Sequence, residues 1–223
     1  MSTTSEIKVI TKENLRNMDK IFRLNLINSI TGYKSANLIG TCSDKRISNL
    51  SIISSAIHLG SYPALLGFML RPASVPRHTY INIKENGFYT INHVHKNFIE
   101  KAHYTSAKFE QNISEFEACG LTEEFRGDFY APFVKESSIK MGMHFLEEYT
   151  IKANNTIMIV GEVVSLLLPE NILQAEGDID LNAVDDVCIS GLNNYHEVKQ
   201  IAAFNYSRPG QPLVNNFEKS KND

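Results

Sequence analysis

Two guanidinium groups and a set of hydroxyls crowd into one stretch of this 223-residue chain. Between Ser48 and Thr79 it carries a polar strand, Ser48-Asn49-Leu50-Ser51-Ile52-Ile53-Ser54-Ser55. A Pro-punctuated loop from Arg71-Pro72 to Pro76 follows, and then Arg77-His78-Thr79 at a helix start. A helix start presents unpaired N–H groups and a partial positive charge, which suits a phosphate. Arg71 and Arg77 can clamp its oxygens in charge-assisted bonds, and Ser54, Ser55 and Thr79 can complete the cradle. Serines near a strand also bond local backbone, and surface arginines are often simply solvated. The residues alone leave both readings open.

Seven histidines raise a second chemistry. His93-x-His95 puts two rings on one face of a strand end, as in some metal sites, and His103 follows. Two or three histidines without a fixed further ligand more often serve structure, so no metal is expected. His78 is either a phosphate neighbour or a plain helix-start residue. His58, on an apolar strand, reads as a satisfied core or interface residue. The chain has no G-x-S-x-G, no P-loop and no G-x-G-x-x-G. No side chain is therefore assigned a catalytic role of its own.

Bulk properties narrow the class. Hydrophobic residues make up 43% and charged residues 21%, ordinary globular usage. Net charge is −3 and no Lys/Arg run appears, which argues against a nucleic-acid partner. Cys42, Cys119 and Cys188 show neither C-x-x-C spacing nor an even set, so a reduced, cytoplasmic compartment is expected. The first six residues are small and polar rather than a signal region. No apolar run approaches the ~20 residues that span a bilayer, so no membrane partner is expected.

The elements that must position these groups follow from periodicity. One domain is expected over 1–223, with its core at about 20–210 and polar tails at both ends. Leu15, Met18, Phe22, Leu26 and Ile30 recur at helical steps, predicting an amphipathic helix over 14–30, stopped by Thr31-Gly32. Ala36–Cys42, a turn at Ser43–Arg46 and a run from Leu50 to Leu59 predict a hairpin. Past Pro63, Ala64–Leu70 is a third strand, Arg77–Asn86 a short helix ending at Gly87, and Phe88–Val94 a fourth strand. Residues 95–127 read as mostly helical, anchored by Phe109, Phe116 and Leu121. Strands return at Lys140–Ile151 and Thr156–Leu168 around an Ala153-Asn154-Asn155 turn. The acidic 176–186 segment reads as a solvated loop. The pattern is mainly β, a barrel with helical decoration.

Several pieces, in order, carry a resemblance. Asn37-Leu38-Ile39-Gly40-Thr41, Asn49-Leu50-Ser51-Ile52-Ile53-Ser54, Pro63, Gly67-Phe68, Arg71-Pro72 and Arg77-His78-Thr79-Tyr80 come first. Asn82-Ile83, Asn92, Ser114-Glu115-Phe116 with Gly120-Leu121-Thr122, and Val160-Gly161-Glu162-Val163 continue the series. Ser190-Gly191-Leu192 with Tyr195, and Tyr206-Ser207-Arg208-Pro209, close it. Together they resemble the flavin-reductase-like, FMN-binding split-barrel family over roughly residues 20–210. The chain departs from that pattern at Asp44-Lys45-Arg46, where family members often carry glycine in the first hairpin turn.

The resemblance implies a Greek-key split β-barrel with N-terminal and inserted helices, working as a homodimer. It implies FMN, with the flavin edge facing Asn49, Leu50 and Ser51. Ser54, Ser55, Arg77, His78 and Thr79 would surround the phosphate, with Arg71 at the rim. Tyr104, Thr105 and Ser106 would cover the ring or shape a nicotinamide pocket. The implied activity is a flavin reductase taking hydride from NADH or NADPH and passing electrons to a flavin or small-molecule acceptor. A non-catalytic FMN-binding or electron-carrying protein is the alternative. A barrel adapted to haem or a pyridoxal derivative is a third, with His93, His95 and His103 as the axial candidates.

Overall fold

The computed structural model describes residues 6–72 and 77–217. The expected polar ends at 1–5 and 218–223, and the stretch 73–76 of the Pro-punctuated loop, lie outside them.

The helix expected over 14–30 is in fact two, α1 (Lys12–Asn17) and α2 (Lys20–Ser29). The break is made by Asp19, whose carboxylate accepts the N–H groups of Ile21 and Phe22, each at 2.9 Å. Such a cap starts a new helix where periodicity alone reads one continuous stripe. Arg23 reaches back and donates to the carbonyls of Leu15, Arg16 and Met18, which end α1. Neither helix buries a residue within the chain, and Phe22 is 57% exposed.

β1 (Lys34–Ser35), β2 (Asn37–Cys42) and β3 (Ser48–Ile53) follow. The β2–β3 turn closes without glycine because Arg46 takes a left-handed φ of 61°. That conformation is strained for a side-chain-bearing residue. The Arg46 guanidinium lies 4.1 Å from the centre of the Tyr130 ring, a cation–π contact that offsets the strain.

The run expected from Leu50 to Leu59 is cut at Ser54-Ser55-Ala56. Beyond the cut, β4 (Ile57–Ser61) pairs with β5 (Ala64–Leu70) instead of continuing β3. His58 on β4 is exposed, not in the core, and its Nε2 lies 3.3 Å from the Ser61 hydroxyl. α3 (His78–Asn86) ends as expected on Gly87, left-handed at φ 74°. β6 (Phe88–His93), α4 (Ile99–Tyr104), α5 (Glu115–Cys119), β7 (Glu123–Glu124) and β8 (Phe133–Val134) come next. Residues 95–127 are thus helical only in α4, α5 and a 3-10 turn at Lys96–Phe98. Without a continuous apolar stripe, the polar residues between them cannot sustain a longer helix. The hairpin β9 (Lys140–Ile151) and β10 (Thr156–Leu167) forms where expected, and β11 (Val187–Ser190) with β12 (Asn194–Glu197) closes the series.

Seven strands make one antiparallel sheet in the order β3-β2-β6-β9-β10-β5-β4. Its two edges, β3 and β4, are neighbours in sequence, so the link at 54–56 brings the edges round toward each other. The result is a mainly β fold, a split barrel with helices before it and inserted into it. Ser55 ties the link to β5, accepting the Met69 N–H at 3.1 Å and donating to the Met69 carbonyl at 3.3 Å.

All six residues of β2 are buried because both sheet faces are covered. Alternation sends Leu38 to one core and Ile39 to the other. Leu38 packs with Leu50, Phe98, Phe116 and Leu121 under the inserted helices. Ile39 joins Phe68, Tyr89, Ile91, Met143 and Ile159, where Ile83 brings α3 into the same cluster. Phe109 is only half-buried and meets Tyr104 edge to face at 5.4 Å.

The acidic segment is not simply solvated. Asp186 holds the His93 ring at 2.9 Å, and Asp185 pairs with Lys96 at 3.0 Å. Two carboxylates therefore pin the segment to the end of β6 and the turn after it. Among the described residues no helix is long and apolar enough to cross a membrane.

Candidate functional site

Asn49 sits near the start of β3 with 7% of its surface exposed, and both ends of its amide are hydrogen-bonded. Its Nδ2 donates to Glu115 Oε2 at 2.6 Å. Its Oδ1 accepts from Thr79 Oγ1 at 2.9 Å and from Thr41 Oγ1 at 3.3 Å. Asn82 Nδ2 donates in turn to Thr41 Oγ1 at 3.0 Å. The same Glu115 oxygen accepts the Leu50 N–H at 3.1 Å. Every group in this network is buried, so its satisfaction is a condition of the fold.

These bonds fix how several of the expected site residues are held. The Asn49 Nδ2 and the Leu50 N–H both donate to Glu115 inside the chain, and the Leu50 side chain packs in the core. The Thr79 hydroxyl has a single proton, and it is directed to Asn49 rather than outward. What Thr79 keeps for a ligand is its place in the first turn of α3. Ser55 is likewise a strut, its hydroxyl held by Met69. Ser51 and Ser54 are half-buried, as is His78, the first residue of α3.

The two arginines stand differently. Arg71 ends exposed, two residues beyond the Met69 that Ser55 grips. Arg77 is the residue before α3, and no side chain caps the start of that nine-residue helix. Its Nε is buried and has no hydrogen-bond partner among the described residues. The candidate site therefore has two anchored halves, Ser54-Ser55 beside Arg71 and Asn49 beside Thr79 with Arg77. No hydrogen bond among the described residues joins the halves.

The loop after α4 is fixed to β3. Thr105 is buried, donates to the Ala102 carbonyl at 2.7 Å, and accepts the Ile52 N–H at 3.0 Å. This leaves its neighbours Tyr104 and Ser106 exposed on either side. Glu115 is the residue that sequence reasoning missed, and for Thr105 it missed the anchoring bond to β3. The Ser-Glu-Phe piece signalled the position of Glu115 but not its partners.

The histidines are engaged separately: His93 with Asp186, His95 with the Asn97 N–H at 3.1 Å, and His103 with the Tyr195 hydroxyl at 3.0 Å. Among the described residues no three His, Cys, Asp or Glu side chains converge as a metal site. Burial pushes the Tyr195 hydroxyl up to about 12, so it is neutral at ordinary pH.

Comparison with known proteins bears on the family and the fold. The family model described as the flavin reductase like domain matches residues 31–183. A split-barrel structure from Shewanella frigidimarina NCIMB 400, bearing the flavin reductase name, is 45% identical, with TM-score 0.86 over 90% of this chain and 100% of that one. Nitrilotriacetate monooxygenase component B from Bacillus cereus is 18% identical, with TM-score 0.76 over 89% and 98%. Flavoredoxin of Desulfovibrio vulgaris (Miyazaki F) is 24% identical, with TM-score 0.67 over 77% and 90%. The last two likenesses bear on the fold alone. No curated protein matches the chain.

Proposed function

The chain belongs to the flavin reductase-like domain family, and on that premise we propose that it is an FMN-dependent oxidoreductase using NADH or NADPH as donor. One observation carries the cofactor part of this reading. The buried Nε of Arg77, without a partner among the described residues, stands beside the uncapped start of α3. A buried guanidinium nitrogen with no acceptor is costly, and a phosphate oxygen is the acceptor that suits both it and a helix start.

On this reading Arg77, His78 and the first N–H groups of α3 hold the phosphate, Ser54 lies beside it, and Arg71 closes the rim. Ser51 borders the ring, and Tyr104 and Ser106 flank its open face. Asn49, Leu50, Ser55 and Thr79 act as the frame behind those contacts. The chemistry that FMN supplies when bound is hydride acceptance and onward electron transfer. The chain's own part is to bind, orient and limit access. The absence of a nucleotide-binding fingerprint in the sequence fits a donor that stacks on the flavin. The acceptor is a free flavin or a small molecule.

The exposed apolar stripe of α2 supports a homodimer, in which a partner covers that face. Three free cysteines support a reducing compartment, the cytoplasm.

The test is a visible absorption spectrum of the purified protein with FMN or FAD, before and after NADH and NADPH under anaerobic conditions. Flavin bands that bleach with one donor support the oxidoreductase. Bands that persist with both donors point to an electron carrier. Failure to retain either flavin overturns the cofactor assignment.

A further inference from the structure

The Asn49 network has a fixed direction, and Glu115 sets it. An amide can sit either way round in a pocket, but a carboxyl oxygen that already accepts the Leu50 N–H at 3.1 Å must face the amide's nitrogen. The Asn49 oxygen is then turned toward Thr79 and Thr41, and both hydroxyls donate to it. Each donor points back along the chain to the same acidic oxygen. Glu115 is 5% exposed, and no lysine or arginine pairs with it among the described residues. Its burial is thus supported by this network and not by a countercharge.

The network crosses three elements. Glu115 opens α5, Asn49 lies on β3, and Thr79 lies in the first turn of α3. Under the flavin assignment, β3 borders the ring and the start of α3 meets the phosphate. We propose that Glu115 is a positioning residue for the cofactor site: acting through Asn49, it locks the phosphate-binding turn of α3 to the ring-bordering strand β3. The inference rests on the flavin reading above and deepens it. It assigns to the inserted segment the task of fixing the distance between the two ends of the site before a ligand arrives. Preorganisation of that kind appears as affinity, since a loose frame must be ordered on binding.

Both bonds converge on one oxygen, Oε2, so a glutamine can keep them and an alanine cannot. The experiment titrates apoprotein with FMN, following flavin fluorescence, and records the visible circular dichroism of the saturated protein. Glu115→Ala should weaken FMN binding about tenfold, as loss of a buried charge-assisted bond implies, and change the flavin dichroism. Glu115→Gln should restore both. Thr79→Val cuts the same chain at its other end, so the double variant E115A/T79V should bind no more weakly than the worse single variant.

Wild-type affinity and dichroism in E115A overturn the inference, as do additive losses in the double variant. Should E115A fail to fold, the comparison of Thr79→Val with Thr79→Ser decides. T79S keeps the donor and should bind like wild type. Equal binding by T79V and wild type overturns the proposal. If wild type itself takes up no FMN, the cofactor reading falls, and this inference with it. Uptake by wild type with E115A unaltered removes the inference alone.

Discussion

The Tyr89 hydroxyl occupies the space that a Cβ on Gly161 would take, with the His144 carbonyl only 2.8 Å from the same point. Tyr89 is fully buried in the barrel interior, meets Phe68 edge to face, and its hydroxyl has no hydrogen-bond partner among the described residues. Burial also pushes the phenol well above its ordinary titration range.

Removing that hydroxyl should help the fold. Tyr89→Phe is expected to stabilise by about 1 kcal/mol, because a buried polar atom without a partner is lost and the ring stays. Gly161→Ala should destabilise by about 2 kcal/mol through overpacking, and Tyr89→Phe in that background should recover part of the loss. Urea denaturation of the four proteins measures this cycle. A destabilised Y89F would show that the hydroxyl is satisfied after all.

Arg77 is expected to matter for FMN more than for stability. Arg77→Gln should weaken FMN binding about tenfold or more without lowering the apoprotein's unfolding midpoint, since a buried unpartnered nitrogen is removed. Exposed Arg71 should show a smaller loss that fades with added salt. Fluorescence titrations at two ionic strengths check both. FMN binding indifferent to Arg77 would remove the phosphate from α3.

Lys140 and Glu124 form a different test, of stability and pH. Lys140 is 8% exposed and donates to Glu124 at 2.5 Å and to the Lys135 carbonyl at 3.2 Å. Burial alone would raise the Glu124 carboxyl, but Lys140 and Arg126 outweigh it and hold it below its ordinary value. A depressed folded-state pKa contributes stability that is present above the ordinary carboxylate value and lost as pH falls through the depressed one. Lys140→Met should therefore cost about 2 kcal/mol at pH 7, with a smaller difference from wild type at low pH. Denaturation curves at pH 7 and pH 3 decide it. A loss that does not shrink on acidification would place the effect in packing.

Self-association should depend on α2. A Phe22→Asp, Ile27→Asp pair replaces exposed apolar groups and should leave the fold of a single chain intact. Light scattering after size exclusion is expected to show a dimer for wild type and a monomer for the variant. A wild-type monomer, or a variant that remains dimeric, rules α2 out as the seam.

Much of the barrel was legible because strand alternation and turn chemistry are local. The β9–β10 hairpin, α3 with its Gly87 cap, and β6 lie where the periodicity puts them. What escaped was set by competition or by distance. Asp19 breaks one helical stripe into two helices by capping, which periodicity does not see. The cut at Ser54–Ala56 sends a continuous apolar run to opposite edges of a sheet, and only the tertiary pairing reveals it. At the candidate site, Arg77 and Thr79 were legible as a helix start. The commitments of Asn49 and Thr79 were not, because their partners Glu115 and Asn49 lie 66 and 30 residues away.

The outward N–H groups of β3 lead to a further consequence. A barrel that is split keeps free strand edges, and a free edge is a template on which another chain can add a strand and begin to aggregate. Along β3 that template is blanked out, since the donors of Leu50 and Ile52 are taken by Glu115 and Thr105 from the inserted segment. The insertion thus serves as a guard on one edge of the split sheet, taking the donors that a copy of the chain would otherwise pair with.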